Sequence, residues 1–296
     1  MSTSNVISFS PRVDAFAKVV LPWISEQYEN PKSLPFDRLW FHTAEHTKGV
    51  HRRYVQLVNA IRSQYPDLII SDDEQEAGEY AALAHDVDQT YMVIDGKHGK
   101  KRKRFSGFIE PASAIWAIRL LGSRLTNPQK ETLIEGIMGT VPAWDPEKKR
   151  LNQPNLKPGC KLTTVLLAMA DLGDATMDGT SFGRNGRLMI KEDHLYILEA
   201  LIDSQGRLPA NASFLCERMV EELTNEEELL DSIRDLVDLY LSLVPCEIQP
   251  IILGECIGVE KARFYCRAVA AQVQSLYQGK QYDAIFHYVG YGLLKG

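Results

Sequence analysis

The chain has 296 residues, of which 45% are hydrophobic and 24% are charged, and these proportions exclude disordered, collagen-like and low-complexity chains. Its 33 basic and 39 acidic residues give a formal net charge of −6, which argues against a protein that coats nucleic acid with its whole surface. Its five cysteines form no CxxC pair, so neither a disulfide framework nor a thiolate metal site is predicted.

The N-terminal segment does not have the pattern of a signal peptide, because no basic stretch precedes an apolar core. The apolar stretch around Trp116 is interrupted by Arg119, and no uncharged run reaches the roughly 18 residues that would suggest a membrane span. We therefore expect a cytoplasmic protein that does not contact a membrane.

The first two helices are predicted from hydrophobic periodicity and from their end signals. Apolar residues follow one helical face over residues 50–61, and Pro66 should end this helix because the residue before a proline disfavours helical geometry. Ser71 and Glu74 fit a capping box at the start of a second helix, which is rich in alanine and reaches His85 near its end.

Later helices are predicted from similar signals. They begin at Asn127-Pro128, run from Lys161 to Leu172, follow a capping box of Thr224 and Glu227, and run from Glu260 to Gln278. Alternating strand patterns are short, with candidates at residues 68–70, 90–94 and 187–190. The chain should therefore fold as a mostly α protein.

Three patches of the sequence carry histidines, aspartates or both in positions that could form one site. His42 and His46 are four residues apart and would share one face of any helix there. His85-Asp86 follows the alanine-rich helix, and Asp171 follows a run of uncharged residues. A carboxylate at the end of an apolar helix is costly to bury unless a cation or a donor receives it. Two imidazoles and two carboxylates would suit a divalent cation such as zinc, manganese, iron or magnesium.

These motifs, in this order, resemble those of the HD-domain superfamily of metal-dependent phosphohydrolases. They are most similar to the class that includes the cyclic-nucleotide phosphodiesterases, and they read FHTAEH at 41–46, HDVD at 85–88 and ADL at 170–172. Thr43 stands where that class has an asparagine, and Gln89 where it has a further histidine. The resemblance implies an HD-domain-like helical bundle over residues 1–186, with residues 187–296 as additional C-terminal helices packed on it as one globular unit.

The resemblance also implies a role for each matching residue. His46, His85, Asp86 and Asp171 would be the metal ligands, with one ion held tightly and a weaker second ion bridged by Asp86. His42 would be the general acid that protonates the leaving oxygen, while a metal-generated hydroxide, oriented or deprotonated by Asp171, attacks phosphorus. The substrate would be a phosphate monoester or phosphodiester, with a nucleotide as the leading candidate.

Residues near these motifs could contact the substrate or support the ligands. Residues 97–104 contain six basic side chains, and we expect a mobile loop that steers a phosphorylated substrate through Lys97, Lys100 and Lys101; a solvated surface loop is the alternative. Asp88 and Asp174 could support a ligand histidine, or they could act only as caps or ion-pair partners. Glu110 and Ser113 could face the site, or they could act only as caps.

Two other functions fit the same residues. The chain could be a catalytically silent, metal-containing regulatory or nucleotide-binding protein. Alternatively, the metal could form an oxygen-activating di-iron site, which is disfavoured because His98 is the only histidine between Asp86 and Asp171. A nucleic acid is not expected as a partner, whereas the apolar helical faces of the C-terminal half leave a homodimer open.

Overall fold

The computed structural model describes residues 10–30, 35–66, 70–105, 107–145, 147, 150–205 and 207–290. Within these ranges the chain forms twelve α-helices and two short β-hairpins, which confirms the predicted mostly α class. None of the described helices combines the length and the apolar character needed to cross a bilayer.

The helices are α1 (Pro11–Ile24), α2 (Ala44–Gln64), α3 (Asp72–Ala84), α4 (Ile109–Leu121), α5 (Asn127–Gly139), α6 (Leu162–Asp171), α7 (Thr180–Asp193), α8 (Leu195–Asp203), α9 (Ala212–Leu243), α10 (Gln249–Glu255), α11 (Gly258–Gln278) and α12 (Tyr282–Gly290). The hairpin strands are β1 (Tyr91–Gly96) with β2 (Gly99–Arg104) and β3 (Ala143–Asp145) with β4 (Arg150–Asn152), both pairs antiparallel.

The ends of the N-terminal helices agree with the capping signals. Ser71 and Glu74 form the capping box of α3, and α2 ends before Tyr65-Pro66 as predicted. The helix α2 begins earlier than its apolar face, because the Thr43 side chain accepts a hydrogen bond from the His46 backbone and so caps the helix. The bounds of α6 and α11 lie within two residues of the predicted ones.

The basic segment 97–104 is not a mobile loop, and that prediction is wrong. Most of it forms β2, which pairs with the confirmed strand β1 so that Arg104 lies opposite Tyr91. Successive side chains of a strand point to opposite faces, and Arg102 is accordingly buried while Lys103 is exposed. Arg102 donates hydrogen bonds to the carbonyl oxygens of Arg38 and Glu192, which fastens the hairpin to the protein.

Two predictions for the C-terminal half are also wrong. Residues 187–190 belong to α7 and not to a strand, because Gly183 and Gly186, which suggested turns, allow α11 and α9 to pack closely against this helix. Thr224 does not cap a helix, since it lies inside α9 and its hydroxyl donates to the Val220 carbonyl. The strand candidate 68–70 lies mostly outside the described residues.

The expected domain boundary between residues 186 and 187 falls in the middle of α7. The larger apolar cluster joins residues of α1 to α6 with the C-terminal part of α9, and a second cluster joins α7, α8, α11 and α12 with the N-terminal part of α9. Because α9 contributes to both clusters and α7 runs through the expected boundary, no linker separates the two halves there.

Three helices at the centre of the larger cluster, α2, α3 and α6, pack against one another. The absence of a side chain at Gly78 of α3 makes room for the hydroxyl of Tyr54 from α2, which is fully buried. This close approach brings the first turn of α2 towards the last residues of α3 and α6, where the predicted ligands lie.

We expect Gly78→Ala to lower the free energy of unfolding by about 1–3 kcal/mol, because the new methyl group would overlap the buried Tyr54 hydroxyl. Gly254→Ala in α10 is the matched control, since a methyl group there meets nothing within 4 Å and the helical backbone favours alanine. Urea denaturation measures both variants. Equal stabilities would contradict the close packing of α2 and α3.

Candidate metal centre

The four predicted ligands converge from three helix ends. His46 lies in the first turn of α2, His85 and Asp86 directly follow α3, and Asp171 is the last residue of α6. One potential ligand atom from each side chain lies within 4.8 Å of all the others. Nε2 of His46 is 3.5 Å from Oδ2 of Asp86 and 3.4 Å from Oδ1 of Asp171, and the corresponding distances for Nε2 of His85 are 3.1 and 3.3 Å.

The orientation of His85 is set by its other ring nitrogen. Nδ1 lies 2.9 Å from the carbonyl oxygen of Ala82, and because a carbonyl only accepts, Nδ1 carries a proton. In a neutral imidazole this leaves a lone pair on the buried Nε2, which faces the carboxylates of Asp86 and Asp171. Facing acceptors repel each other unless Nε2 is protonated or a cation lies between them. A backbone anchor on one nitrogen is the usual arrangement of a metal-ligating histidine.

The electrostatics of the group favour a positive charge at its centre. Burial lowers the pKa of His85, but the negative charges of Asp86 and Asp171 outweigh burial and raise that pKa well above its ordinary value. The same carboxylates raise the pKa of His46 against the effect of burial. Burial raises the pKa of Asp86, but the charges of His85 and Arg104 outweigh it and hold that pKa well below its usual range.

The distances between the imidazole nitrogens and the carboxylate oxygens fit ligands that share one ion. Two atoms that each lie about 2.1 Å from a metal ion at a tetrahedral angle are about 3.4 Å apart. The four imidazole–carboxylate distances in this group span 3.1 to 3.5 Å. The group could therefore hold a metal ion with little rearrangement of its side chains.

A buried glutamate that the sequence interpretation missed orders the segment before α2. Oε2 of Glu192, in α7, accepts hydrogen bonds from the backbone N–H groups of Trp40 at 2.9 Å, Phe41 at 2.7 Å and His42 at 3.2 Å. Its Oε1 accepts hydrogen bonds from Nδ1 of His42 and, at 2.9 Å, from the Tyr91 hydroxyl. No local pattern could have revealed this residue, because it is 150 positions away from His42.

His42 has a defined tautomer. It precedes α2, so the two histidines do not lie on one helix, although their ring centroids are 5.8 Å apart. Its Nε2 lies 2.7 Å from Nη1 of Arg104, and because a guanidinium only donates, Nε2 accepts this hydrogen bond and carries no proton. Its Nδ1 therefore carries the ring proton and donates a hydrogen bond to Glu192. To donate a proton to a substrate, Nε2 would first have to lose Arg104 and become protonated.

A cavity of about 140 Å³ opens beside the four-residue group. Its lining combines charged or imidazole side chains with uncharged ones: His42, His46, Asp86, Arg104, Glu110 and Asp171, together with Phe41, Thr140, Pro142, Leu151, Gln153 and Leu172. Glu110, a predicted substrate contact, thus faces this cavity, and its Oε2 also accepts a hydrogen bond from the Gly107 backbone at 2.7 Å.

The three lysines that were predicted to contact the substrate do not line this cavity. Lys97 and Lys100 are exposed on the hairpin, and Nζ of Lys101 lies 3.8 Å from a carboxylate oxygen of Glu222. The residue of the basic segment that lines the cavity is Arg104. Knowledge that the segment is a strand would have placed Arg104 on the same face as Arg102, but Lys100 lies on that face too, so alternation alone does not select Arg104.

The other two aspartates of the motifs have structural partners. Asp174 lies 2.7 Å from Nη1 of Arg53, a buried residue of α2 whose Nε also donates to the Ala170 carbonyl. These contacts fasten the chain on both sides of Asp171 to α2. Asp88 accepts a hydrogen bond from the Thr90 hydroxyl, and its backbone N–H donates to Ser113. Both aspartates therefore match the alternative of ion-pair and turn partners.

A larger cleft of about 620 Å³ adjoins the small cavity, and the two share Phe41 and His46. Residues of α2 and α7 form most of its lining, including Arg52, Ser181 and Asn185. Pockets that enclose small organic ligands typically measure about 300–1,000 Å³. The cleft therefore has room for a group of nucleoside size, whereas the cavity beside the ligand group does not.

Comparisons of the chain with protein-family models, with curated proteins and with solved structures found no significant match.

We expect Glu192→Ala to lower the free energy of unfolding at neutral pH by at least about 3 kcal/mol, because three backbone N–H groups and His42 lose a buried acceptor. Although burial raises the pKa of Glu192, the hydrogen bonds that its carboxylate accepts from the His42 ring and from the backbone lower that pKa well below its ordinary value. The stability that Glu192 contributes is therefore complete above about pH 4.3, the pKa in the unfolded chain, and is lost as the pH falls further.

Urea denaturation of both proteins at neutral and acidic pH tests this expectation, and the difference between wild type and Glu192→Ala should shrink in acid. Glu199→Ala, at an exposed position of α8, is the control and should change the stability by no more than about 0.5 kcal/mol. A difference that equals the control, or that does not depend on pH, would contradict the assigned contacts.

Proposed function

We propose that the chain is a metal-dependent phosphohydrolase of the HD-domain type. The observation that carries the proposal is the group of His46, His85, Asp86 and Asp171, in which imidazole nitrogens and carboxylate oxygens lie within 4.8 Å of one another. The order and wording of its motifs support the same family. Two imidazoles among the ligands favour zinc, manganese or iron over magnesium, which prefers oxygen ligands.

When bound, a divalent cation would lower the pKa of a water molecule and offset negative charge on phosphoryl oxygens. Oδ2 of Asp86 faces the two histidines, and Oδ1 is held by Arg104 at 2.9 Å, so this ligand has a fixed orientation. The side chain of Asp171 is 19% exposed and lines the cavity, where it can orient the attacking water.

His42 is proposed to transfer a proton to the leaving oxygen through Nε2. The carboxylate of Glu192, in contact with Nδ1, would stabilise the positive imidazolium that exists before this transfer. Glu192 therefore acts through His42 and is a positioning residue, because it sets the orientation of the ring and the tautomer.

The volumes of the two adjoining spaces limit how a substrate could bind. The cavity of about 140 Å³ has room for a phosphoryl group beside the ligands, and the adjoining cleft of about 620 Å³ has room for the remainder of a nucleotide. We therefore propose that the phosphoryl group enters the cavity while the organic part of the substrate lies in the cleft.

Metal analysis and hydrolysis assays with a panel of nucleotides and model phosphodiesters test the proposal. We expect about one equivalent of tightly bound metal, and a hydrolytic rate that Asp86→Asn lowers by more than about 100-fold, because this change removes a ligand charge. Asp88→Asn is the matched control two residues away. Its carboxylate accepts from Thr90 outside the ligand group, so metal content and rate should stay near wild type.

Unchanged hydrolysis by Asp86→Asn would contradict the proposal. A second candidate, a silent metal-containing regulatory or nucleotide-binding protein, is favoured by one observation, namely that Arg104 occupies the Nε2 of His42. That candidate predicts bound metal without turnover, and a His42→Ala variant that differs only in stability or ligand affinity. Full activity of an iron-free preparation would exclude the di-iron alternative.

A further inference from the structure

Arg104 has more hydrogen-bond donors than partners. Nη1 donates to Nε2 of His42 at 2.7 Å, and Nη2 donates to Oδ1 of Asp86 at 2.9 Å. A guanidinium has five N–H bonds, so three of them remain without a partner among the described residues. One of these belongs to Nε, which is buried. A partly exposed guanidinium that lines a cavity and has unmet donors, among them a buried Nε, is a site for an oxygen-rich anion.

We propose that Arg104 is the oxyanion-recognition residue of this cavity and donates hydrogen bonds to the oxygens of a phosphoryl group. This inference rests on the proposed function, since it names the part of the substrate that the same site would bind.

The charges of the cavity support a role in anion binding. Three carboxylates line the cavity, those of Asp86, Asp171 and Glu110. The permanent positive charge among the lining side chains is that of Arg104. A phosphate dianion would be repelled by this lining, and a divalent cation alone would offset only two of the three formal negative charges. Arg104 offsets the third, so a phosphoryl group would meet a lining without net negative charge.

The contacts of Arg104 also keep its guanidinium in place while Asp86 serves as a ligand. Arg104 contacts Oδ1 of Asp86, whereas Nε2 of His85 lies 3.1 Å from Oδ2 and Nε2 of His46 lies 3.5 Å from Oδ2. Both functions of this carboxylate are therefore compatible. The planar guanidinium is held at the edge of the ligand group and 23% of its side chain is exposed, so its remaining donors are preorganised for a bound oxyanion.

The alternative is that Arg104 only orients Asp86. The two roles differ in their effect on anion binding at full metal occupancy, because a residue that only orients Asp86 would change metal affinity alone. The test is the affinity of the Mn²⁺-loaded chain for inorganic phosphate, to be determined by isothermal titration calorimetry together with the metal content of the same samples.

We expect Arg104→Gln to weaken phosphate binding by about 10- to 100-fold, as the loss of a charge-assisted hydrogen bond implies. Arg104→Lys should weaken it less, because it keeps the charge but loses the planar fork. Lys101→Gln, on the same strand but facing Glu222, is the control and should bind phosphate like wild type. Circular dichroism and the Tm verify that each variant is folded.

Each other outcome has a defined meaning. Equal phosphate affinities of wild type and Arg104→Gln at full metal occupancy would overturn the assignment of Arg104, even if the variant binds metal less tightly. Failure of the wild type to bind metal would overturn the proposed function instead. In that event the same titration on the metal-free chain decides: a phosphate affinity that depends on Arg104 supports the inference, and no phosphate binding by the wild type overturns it.

Discussion

Two carboxylates at helix ends, that of Asp86, which is buried, and that of Asp171, which is partly buried, are the constraint on which this structure depends. Asp86 follows α3 and Asp171 ends α6, and the residues just before them are buried, from Ala77 to Ala84 in α3 and from Thr163 to Ala170 in α6. An isolated buried carboxylate costs several kcal/mol, so each needs a compensating positive charge or a set of donors. The packing of α2, α3 and α6 places the imidazoles of His46 and His85 against both carboxylates. The Gly78–Tyr54 contact, by which α2 and α3 approach each other, is therefore as important for the site as for the core.

A second layer of interactions holds the open side of the site and comes from distant parts of the chain. Glu192 in α7 accepts hydrogen bonds from the backbone N–H groups that precede α2 and from Nδ1 of His42, which fixes the tautomer of His42. Arg104 at the end of β2 donates hydrogen bonds to both His42 and Asp86. Arg102 fastens the same hairpin to the carbonyl of Glu192. The C-terminal half is thus not an appendage to a self-contained core, since one of its helices provides the carboxylate that orients His42.

Local signals predicted the features that depend on local physics. The capping box at Ser71 and the end of α2 before Pro66 follow from backbone sterics and hydrogen bonds within a few residues, and the bounds of α6 follow from its run of apolar residues. The same reasoning was wrong where tertiary packing decides. The glycines of α7 suggested turns but serve close contacts with neighbouring helices, and Thr224 has the pattern of a cap but lies inside α9, which continues through that position as one helix.

The sequence by itself determined the mostly α class and the types of side chain that meet at the helix ends, because hydrophobic periodicity and residue chemistry are local properties. It also contained the six basic residues of 97–104, but not their distribution, since only the packing of the β1–β2 hairpin on the rest of the protein places Arg104 at the cavity and leaves Lys100 exposed. The tertiary structure alone decided the protonation geometry of His42. The two groups that define it, Glu192 and Arg104, are 150 and 62 residues away, and a contact between such distant residues arises only from packing.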